Sequence, residues 1–137
     1  MAGRGVARRV KVQRQPLVQV IPQRHPADCG AAVLAMWLPA SYEEVILALN
    51  KPTMLQRGVW LTDLIRAAQR FDVTLKKKPV WDVDEDDGIA QVRFRRGPYH
   101  VVLVRAGLIF DTDCSVWEPD DFLAARRASF GPLLVRA

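Results

Sequence analysis

The sequence predicts an α+β fold, in which helices from the first half pack on a mostly antiparallel sheet from the second half. Apolar residues recur at helical spacing up to about residue 71, whereas beyond it they form short β-rich runs separated by turns. Half of the 137 residues are hydrophobic and 26% are charged, which is typical of a globular chain. We therefore expect one domain with a real core over residues 16–137.

Residues 1–15 are predicted to form a flexible basic arm outside this domain. The chain carries a net charge of +5, and no acidic residue precedes Asp28. We interpret the arm as a solvated tail, with weak binding to an anionic partner such as nucleic acid or an acidic protein as the alternative. It lacks the aromatic residues that binding of single strands uses. Its basic residues are Arg4, Arg8, Arg9, Lys11 and Arg14.

The first helix is predicted over residues 29–38, after an extended lead-in or short strand at residues 16–21. Its side chains are apolar on nearly every face, so we expect it to run through the core. Asp28 stands at the N-cap position, where its carboxylate can accept hydrogen bonds from first-turn N–H groups. Pro39 ends the helix, because proline cannot continue it.

Two more helices and then several strands follow. Ser41 and Glu44 have the spacing of a capping box at the start of the second helix. Apolar residues at helical spacing predict a third helix over residues 59–70. A short helix with acids in its first turn is expected at residues 118–123. The predicted strands are residues 73–78, 90–94, 99–104 and 108–111, the last two joined by a hairpin turn at 105–107, and a final edge strand at 132–135.

Cys29 is the first candidate for chemistry. The N–H groups and the positive dipole end of a helix favour a thiolate at this position. Gly30 and Ala31 leave no bulk beside the sulfur, and Gln23 is an uncharged donor able to hold an oxyanion if the chain folds it back. The alternative is a small hydrophobic cysteine buried in a helix.

A thiol nucleophile needs a base, and the base needs a group that orients it. His100 opens a predicted strand, and Asp111 ends the partner strand across the hairpin, so the two are expected at the same end of the sheet. His25 is the second candidate base, on a loop close to Cys29 in sequence. Asp113 is a rival for Asp111 if the hairpin register slips.

The order glutamine, cysteine, histidine, aspartate is that of papain-like enzymes, and the resemblance is more specific than that order. The chain resembles the papain-like cysteine peptidases that remove double-glycine leaders from bacteriocin-type peptides at the N-terminus of their ABC transporters. The resemblance covers roughly residues 16–137. The shared motifs are Gln23-x5-Cys29 within Gln-x4-Asp-Cys-Gly-Ala-Ala, the following Leu-Ala-Met, the 58–71 helix, His100-Val-Val-Leu-Val, Leu-Ile-Phe-Asp111 and Asp120-Asp-Phe122.

The resemblance implies an active cysteine peptidase with a peptide or protein substrate and no cofactor. It implies that Cys29 is the nucleophile and His100 its base. Asp111 then orients the histidine, and Gln23 is an oxyanion donor. The basic arm lies outside the family pattern.

Three other functions stay open at this point. A zinc site built from His25, Cys29, His100 and Cys114 has enough ligands, but the sequence has no close cysteine pair. The same cysteine and histidine chemistry also serves acyl or amide-group transfer, since the acyl-enzyme is shared. The third is a module that binds a peptide or nucleic acid without turnover.

The sequence also predicts a cytoplasmic protein that does not insert into membranes. No run of apolar residues has the length needed to cross a bilayer. The N-terminus lacks the apolar core of a secretory signal. Two cysteines are too few for a disulfide framework, so free thiols are expected.

Overall fold

The computed structural model describes residues 18–25, 27–38, 40–51, 58–96 and 99–137. The predicted basic arm at residues 1–15, the helix end at Pro39 and the first part of the lead-in lie outside the described residues. Four helices are described: α1 (Cys29–Trp37), α2 (Tyr42–Leu49), α3 (Leu61–Gln69) and α4 (Pro119–Arg126). The strands are β1 (Leu75–Lys78), β2 (Gly88–Phe94), β3 (His100–Arg105), β4 (Leu108–Phe110), β5 (Val116–Trp117) and β6 (Ala128–Arg136).

The six strands form one sheet in the order β1-β6-β2-β3-β4-β5. Every neighbouring pair is antiparallel. Because the three early helices precede this sheet in the chain, the predicted α+β class is confirmed.

The sheet separates two apolar layers. On one face, side chains such as Ile89 and Leu103 pack with α1, α2 and α3. On the other face, alternate residues such as Ala90 and Val102 pack with Phe122 of α4. This alternation follows from the pleat, which points successive side chains to opposite faces.

Helix α1 is the centre of the first layer. All its residues from Gly30 to Trp37 are buried, as its apolar surface predicted. A methyl group on Gly30 would stand only 2.5 Å from Cγ2 of Val59. The missing side chain of Gly30 therefore allows α1 to pack against the segment before α3, rather than opening space beside Cys29.

The start of α2 is confirmed and that of α3 differs slightly. Ser41 and Glu44 form the capping box, each side chain bonding the other's backbone N–H. Helix α3 begins at Leu61 rather than at residue 59, because the Asp63 carboxylate accepts a hydrogen bond of 2.7 Å from the backbone N–H of Trp60. This interaction fixes the N-cap at Trp60.

The interpretation of the C-terminal strand as an edge strand is wrong. Strand β6 lies inside the sheet between β1 and β2, and the edges are β1 and β5. Proline cannot donate to a ladder, but Pro132 lies where the β2–β6 register shifts and outside the β1 pairing. This bulge allows an interior strand to contain a proline.

The hairpin between β3 and β4 has the predicted turn. Leu103 pairs with Phe110 and Arg105 with Leu108. Ala106 and Gly107 both have positive φ, 53° and 75°, as the tight turns favoured in hairpins require. Asp111 therefore follows directly on a strand paired with β3.

Among the described residues, no single helix has both the length and the apolar composition needed to cross a bilayer. Only α1 and α2 together reach these values, as a pair bent by 118°.

Candidate active site

Cys29, His100 and Asp111 come from three different elements to one place at the end of β3. Cys29 is the first residue of α1, His100 is the first residue of β3, and Asp111 follows β4. His100 Nε2 donates to Asp111 Oδ1 at 2.7 Å. The Cys29 side chain is the second interaction partner of the ring and raises the pKa of His100. The ring therefore interacts with both a carboxylate and a thiol.

The two ring nitrogens of His100 differ in their bonding. Because Nε2 is bonded to Asp111, Nδ1 is the nitrogen available for proton exchange with Cys29. The ring also stacks on Phe94, with centroids 6.1 Å apart and planes at 28°. The side chain of His100 is 17% exposed, so one edge of the ring reaches the surface.

The protonation of this pair follows from its surroundings. Burial, the largest influence, lowers the pKa of His100, but hydrogen bonds and charge interactions with Asp111 and Cys29 together raise this pKa to about 9. Burial raises the pKa of Asp111. The interactions with His100, the Thr112 N–H group and Arg126 outweigh this effect, so the pKa of Asp111 is lowered overall. At neutral pH the pair is an imidazolium bonded to a carboxylate.

Asp111 is only 2% exposed, and both oxygens of its carboxylate have hydrogen-bond or ion-pair partners. Oδ1 accepts from His100 and, at 2.7 Å, from the backbone N–H of Thr112. Oδ2 pairs with Nη2 of Arg126 at 2.9 Å. Sequence reasoning missed Arg126, because a basic residue in the last turn of a helix is ordinarily a solvated partner of the helix dipole.

Asp113, the rival orienting residue, is bonded elsewhere. Its carboxylate accepts from the backbone N–H of Ser115 at 3.0 Å and from the Ser115 hydroxyl. It also pairs with Arg126 at 3.2 Å, and its side chain is 54% exposed. The structure thus brings Asp111, and not Asp113, to the ring of His100.

Gln23 is tied to the turn that follows Asp111. Its backbone N–H donates to the Thr112 carbonyl at 2.9 Å, and its Oε1 accepts from the Thr112 hydroxyl at 2.5 Å. Its Nε2 donates to the His25 carbonyl at 2.8 Å. Gln23 therefore connects the loop before Cys29 with the turn after β4, and its role as an oxyanion donor stays a prediction.

Asp28 occupies the N-cap position but does not cap α1 with its side chain, so that expectation was wrong. Its buried carboxylate turns back and accepts from the backbone N–H groups of Arg24 and His25, both at 3.1 Å. The Tyr42 hydroxyl donates to it at 2.5 Å. Burial and this hydrogen bond raise the pKa of Tyr42. Asp28 thus fixes the loop that precedes the cysteine.

The remaining candidates do not gather into a second site. His25 is exposed on the loop, and Cys114 is exposed in the turn after Asp111. Within the described part of the chain, no three His, Cys, Asp or Glu side chains lie close enough to hold a metal ion together. The zinc set considered from the sequence is therefore not assembled.

Two exposed aromatic side chains flank the site along the chain. Tyr99 directly precedes His100 and is 59% exposed, and Trp60 is 66% exposed. Trp60 follows Val59, which packs over Gly30 beside the cysteine.

An open groove of about 820 Å³ lies against the other end of α1, and none of Cys29, His100 and Asp111 lines it.

Comparison of the chain with models of protein families and with curated proteins found no match. What the site can do is therefore inferred from its own geometry and from the sequence motifs. In that geometry a histidine bonds a buried aspartate and interacts with a cysteine at a helix start.

Proposed function

We propose that this protein is a papain-like cysteine peptidase that hydrolyses a peptide bond through a thioester intermediate. One observation carries the proposal: His100 donates Nε2–H to the buried Asp111 and interacts electrostatically with Cys29. A nucleophile, a base and an orienting carboxylate in this sequence of contacts are the parts that a cysteine peptidase requires.

In the first half of the reaction, Cys29 is acylated. With a proton on Nδ1 of His100, the Cys29 sulfur attacks the carbonyl carbon of the substrate as a thiolate. The tetrahedral intermediate then collapses, the imidazolium gives its proton to the leaving amine, and a thioester remains. Asp111 keeps the ring in the orientation that this transfer needs and stabilises its positive charge.

In the second half, water replaces the amine. His100 takes a proton from the water, whose oxygen attacks the thioester carbonyl, and the acid product leaves as the Cys29 sulfur is released. If an amine attacks instead, the same intermediate gives acyl transfer, which is the alternative function.

The start of α1 supports the stabilisation of the oxyanion. The first N–H groups of a helix have no partner within the helix, and Asp28 gives them no side-chain cap. The backbone N–H of Cys29 is at this end of the helix and belongs to the same residue as the sulfur. We assign it and Gln23 as the oxyanion donors, because donors placed where charge develops give the largest electrostatic gain.

The resemblance to leader peptidases adds the substrate class to the proposal, which is a peptide or protein. The structure describes both cysteines as free thiols, which suits a protein of the reducing cytoplasm. We also propose that the basic arm at residues 1–15 binds an anionic partner weakly.

The proposal is tested by a peptide-library cleavage screen. We expect the wild-type protein to cleave a subset of peptides and the Cys29→Ala variant to cleave none while keeping its fold, since alanine is accepted at a helix start. The matched control is Cys114→Ala, which removes the other thiol and should retain full activity. Equal cleavage by the Cys29→Ala variant would remove the nucleophile from the mechanism.

A further inference from the structure

We propose that Arg126 is a positioning residue of this site, which acts through Asp111 to limit how firmly His100 holds its proton. Its catalytic consequence rests on the proposed peptidase function, whereas its effect on the ring does not. The sequence resemblance assigns this arginine no role, and it reaches Asp111 from α4, on the face of the sheet opposite α1.

Two cations share the carboxylate of Asp111. Asp111 is 2% exposed and carries His100 on Oδ1 and Arg126 on Oδ2, at 2.7 and 2.9 Å. A buried carboxylate is expensive to leave with incomplete pairing, so both contacts restrain its orientation. Arg126 thereby fixes the plane of the group that orients the histidine.

Arg126 is itself held in place. Its guanidinium lies 5.5 and 5.4 Å from the ring centroids of Trp117 and Phe122, within the range of cation–π attraction. Nη2 also pairs with Asp113 at 3.2 Å. A planar guanidinium can stack on the two rings while one of its nitrogens pairs with both carboxylates, and the ammonium of lysine does not stack in this way. The side chain is therefore suited to positioning rather than to contact with substrate.

The electrostatic effect has a definite sign. The negative charge of Asp111 stabilises both the imidazolium and the guanidinium, and these two cations repel each other. Removing the charge of Arg126 removes this repulsion and leaves His100 as the one cation paired with the Asp111 carboxylate. Both changes favour the protonated ring, so its pKa rises.

The groups that face the ring are few, and this makes the test clear. Cys29 faces it from α1 and Asp111 from the turn after β4, while Phe94 of β2 is uncharged. Arg126 and Asp113 act from behind Asp111. In a Cys29→Ala background the thiol is absent, so Asp111 is the one titrating partner of the ring among the described residues.

The test is an NMR titration of the two histidine rings in the Cys29→Ala protein. We expect Arg126→Gln to raise the pKa of His100 by about one unit, since a charge at this range shifts a pKa by that order. The exposed His25 is an internal reference and should not move. The matched control is Arg127→Gln, which removes the same charge from the next, exposed residue and should leave both titrations unchanged.

An unchanged or lowered pKa of His100 in the Arg126→Gln variant would overturn the inference. If circular dichroism shows that this variant is unfolded, Arg126→Lys replaces it. We expect Arg126→Lys to shift the pKa upward by a smaller amount, because the charge is kept but the stacking of a planar guanidinium on Trp117 and Phe122 is lost. A lysine variant without any upward shift also contradicts the inference.

A second readout connects the inference to catalysis. With a substrate from the library screen, the alkaline limb of kcat/KM should move to higher pH in Arg126→Gln, which a merely structural role would not cause. If the ring titration shifts but no peptide is cleaved, the role of Arg126 stands and the peptidase proposal fails. If cleavage depends on Cys29 but the titration does not shift, the peptidase proposal stands and the role of Arg126 fails.

Discussion

Two buried aspartates stand on either side of the site and perform different tasks. Asp28 and Asp111 are both 2% exposed. Asp28 binds two backbone N–H groups and the Tyr42 hydroxyl, all neutral donors. Asp111 binds one backbone N–H group but also His100 and Arg126. The two carboxylates are equally buried but differ in their bonding. Asp28 holds backbone structure, whereas Asp111 is bonded to a ring that titrates.

The first prediction concerns the charge of Asp111 and has the largest expected effect. Asp111→Asn keeps the shape of the side chain but cannot stabilise an imidazolium, so kcat should fall by about 10³–10⁴-fold. Asp113→Asn, in the same turn, is the control and should stay within a few-fold of wild type. Activity of Asp111→Asn near the wild-type value would show that the contact to His100 is not used.

The second prediction concerns Gln23. Gln23→Ala should reduce kcat by about 10²–10³-fold, as the loss of other oxyanion donors does. Alkylation of Cys29 involves no oxyanion, so its rate should not change. If alkylation slows in parallel, Gln23 acts instead through its bonds to Thr112, and the oxyanion role is wrong.

The third prediction concerns the structural aspartate. Asp28→Asn turns one acceptor into a donor facing backbone N–H groups, and the free energy of unfolding should fall by about 2–3 kcal/mol. Tyr42→Phe removes only one partner and should cost about 1 kcal/mol. Urea denaturation measures both changes. A stable Asp28→Asn protein with lost activity would make the two aspartates functionally alike, against this account.

The fourth prediction is the smallest and concerns pH. The folded-state pKa of His100 is raised, so its contribution to stability is complete below the unfolded value of about 6.5 and is lost as pH rises through the folded value. In the wild-type protein, stability should therefore fall by about 1–2 kcal/mol from pH 6 to 9. Cys29→Ala should make this fall smaller, because Cys29 is one of the two partners that raise the pKa of His100. His100→Asn should abolish the slope, and a slope that persists would place its origin elsewhere.

The same two aspartates show what the sequence allows one to predict. Asp111 lies beside His100 because a short hairpin turn fixes the register of two adjacent strands, and this information is local. The partners of Asp28 include Tyr42, which lies across the break between two helices. The sequence around an N-cap residue looks the same whether its side chain bonds the helix that follows or the loop that precedes it. The N-cap prediction was therefore wrong, although the helix was correct.

The other elements divide in the same way between local and non-local information. The capping box at Ser41 and the early helices follow from local sequence patterns and were predicted. Strand β5 is short, and β6 is interrupted by a bulge at Pro132, so neither has the alternation of a regular strand. The contact of Arg126 with Asp111 depends on the position of α4 relative to the sheet, which no local pattern contains.

The central claim is that Cys29 and His100 form a reactive pair, and alkylation across pH tests it most directly. In Cys114→Ala, Cys29 is the only thiol, and in Cys29→Ala, the exposed Cys114 is the matched reference. We expect Cys29 to react with iodoacetamide well below pH 7 and faster than Cys114, and to lose this advantage in a His100→Ala variant. Equal rates for the two cysteines, unaffected by His100→Ala, would contradict the account.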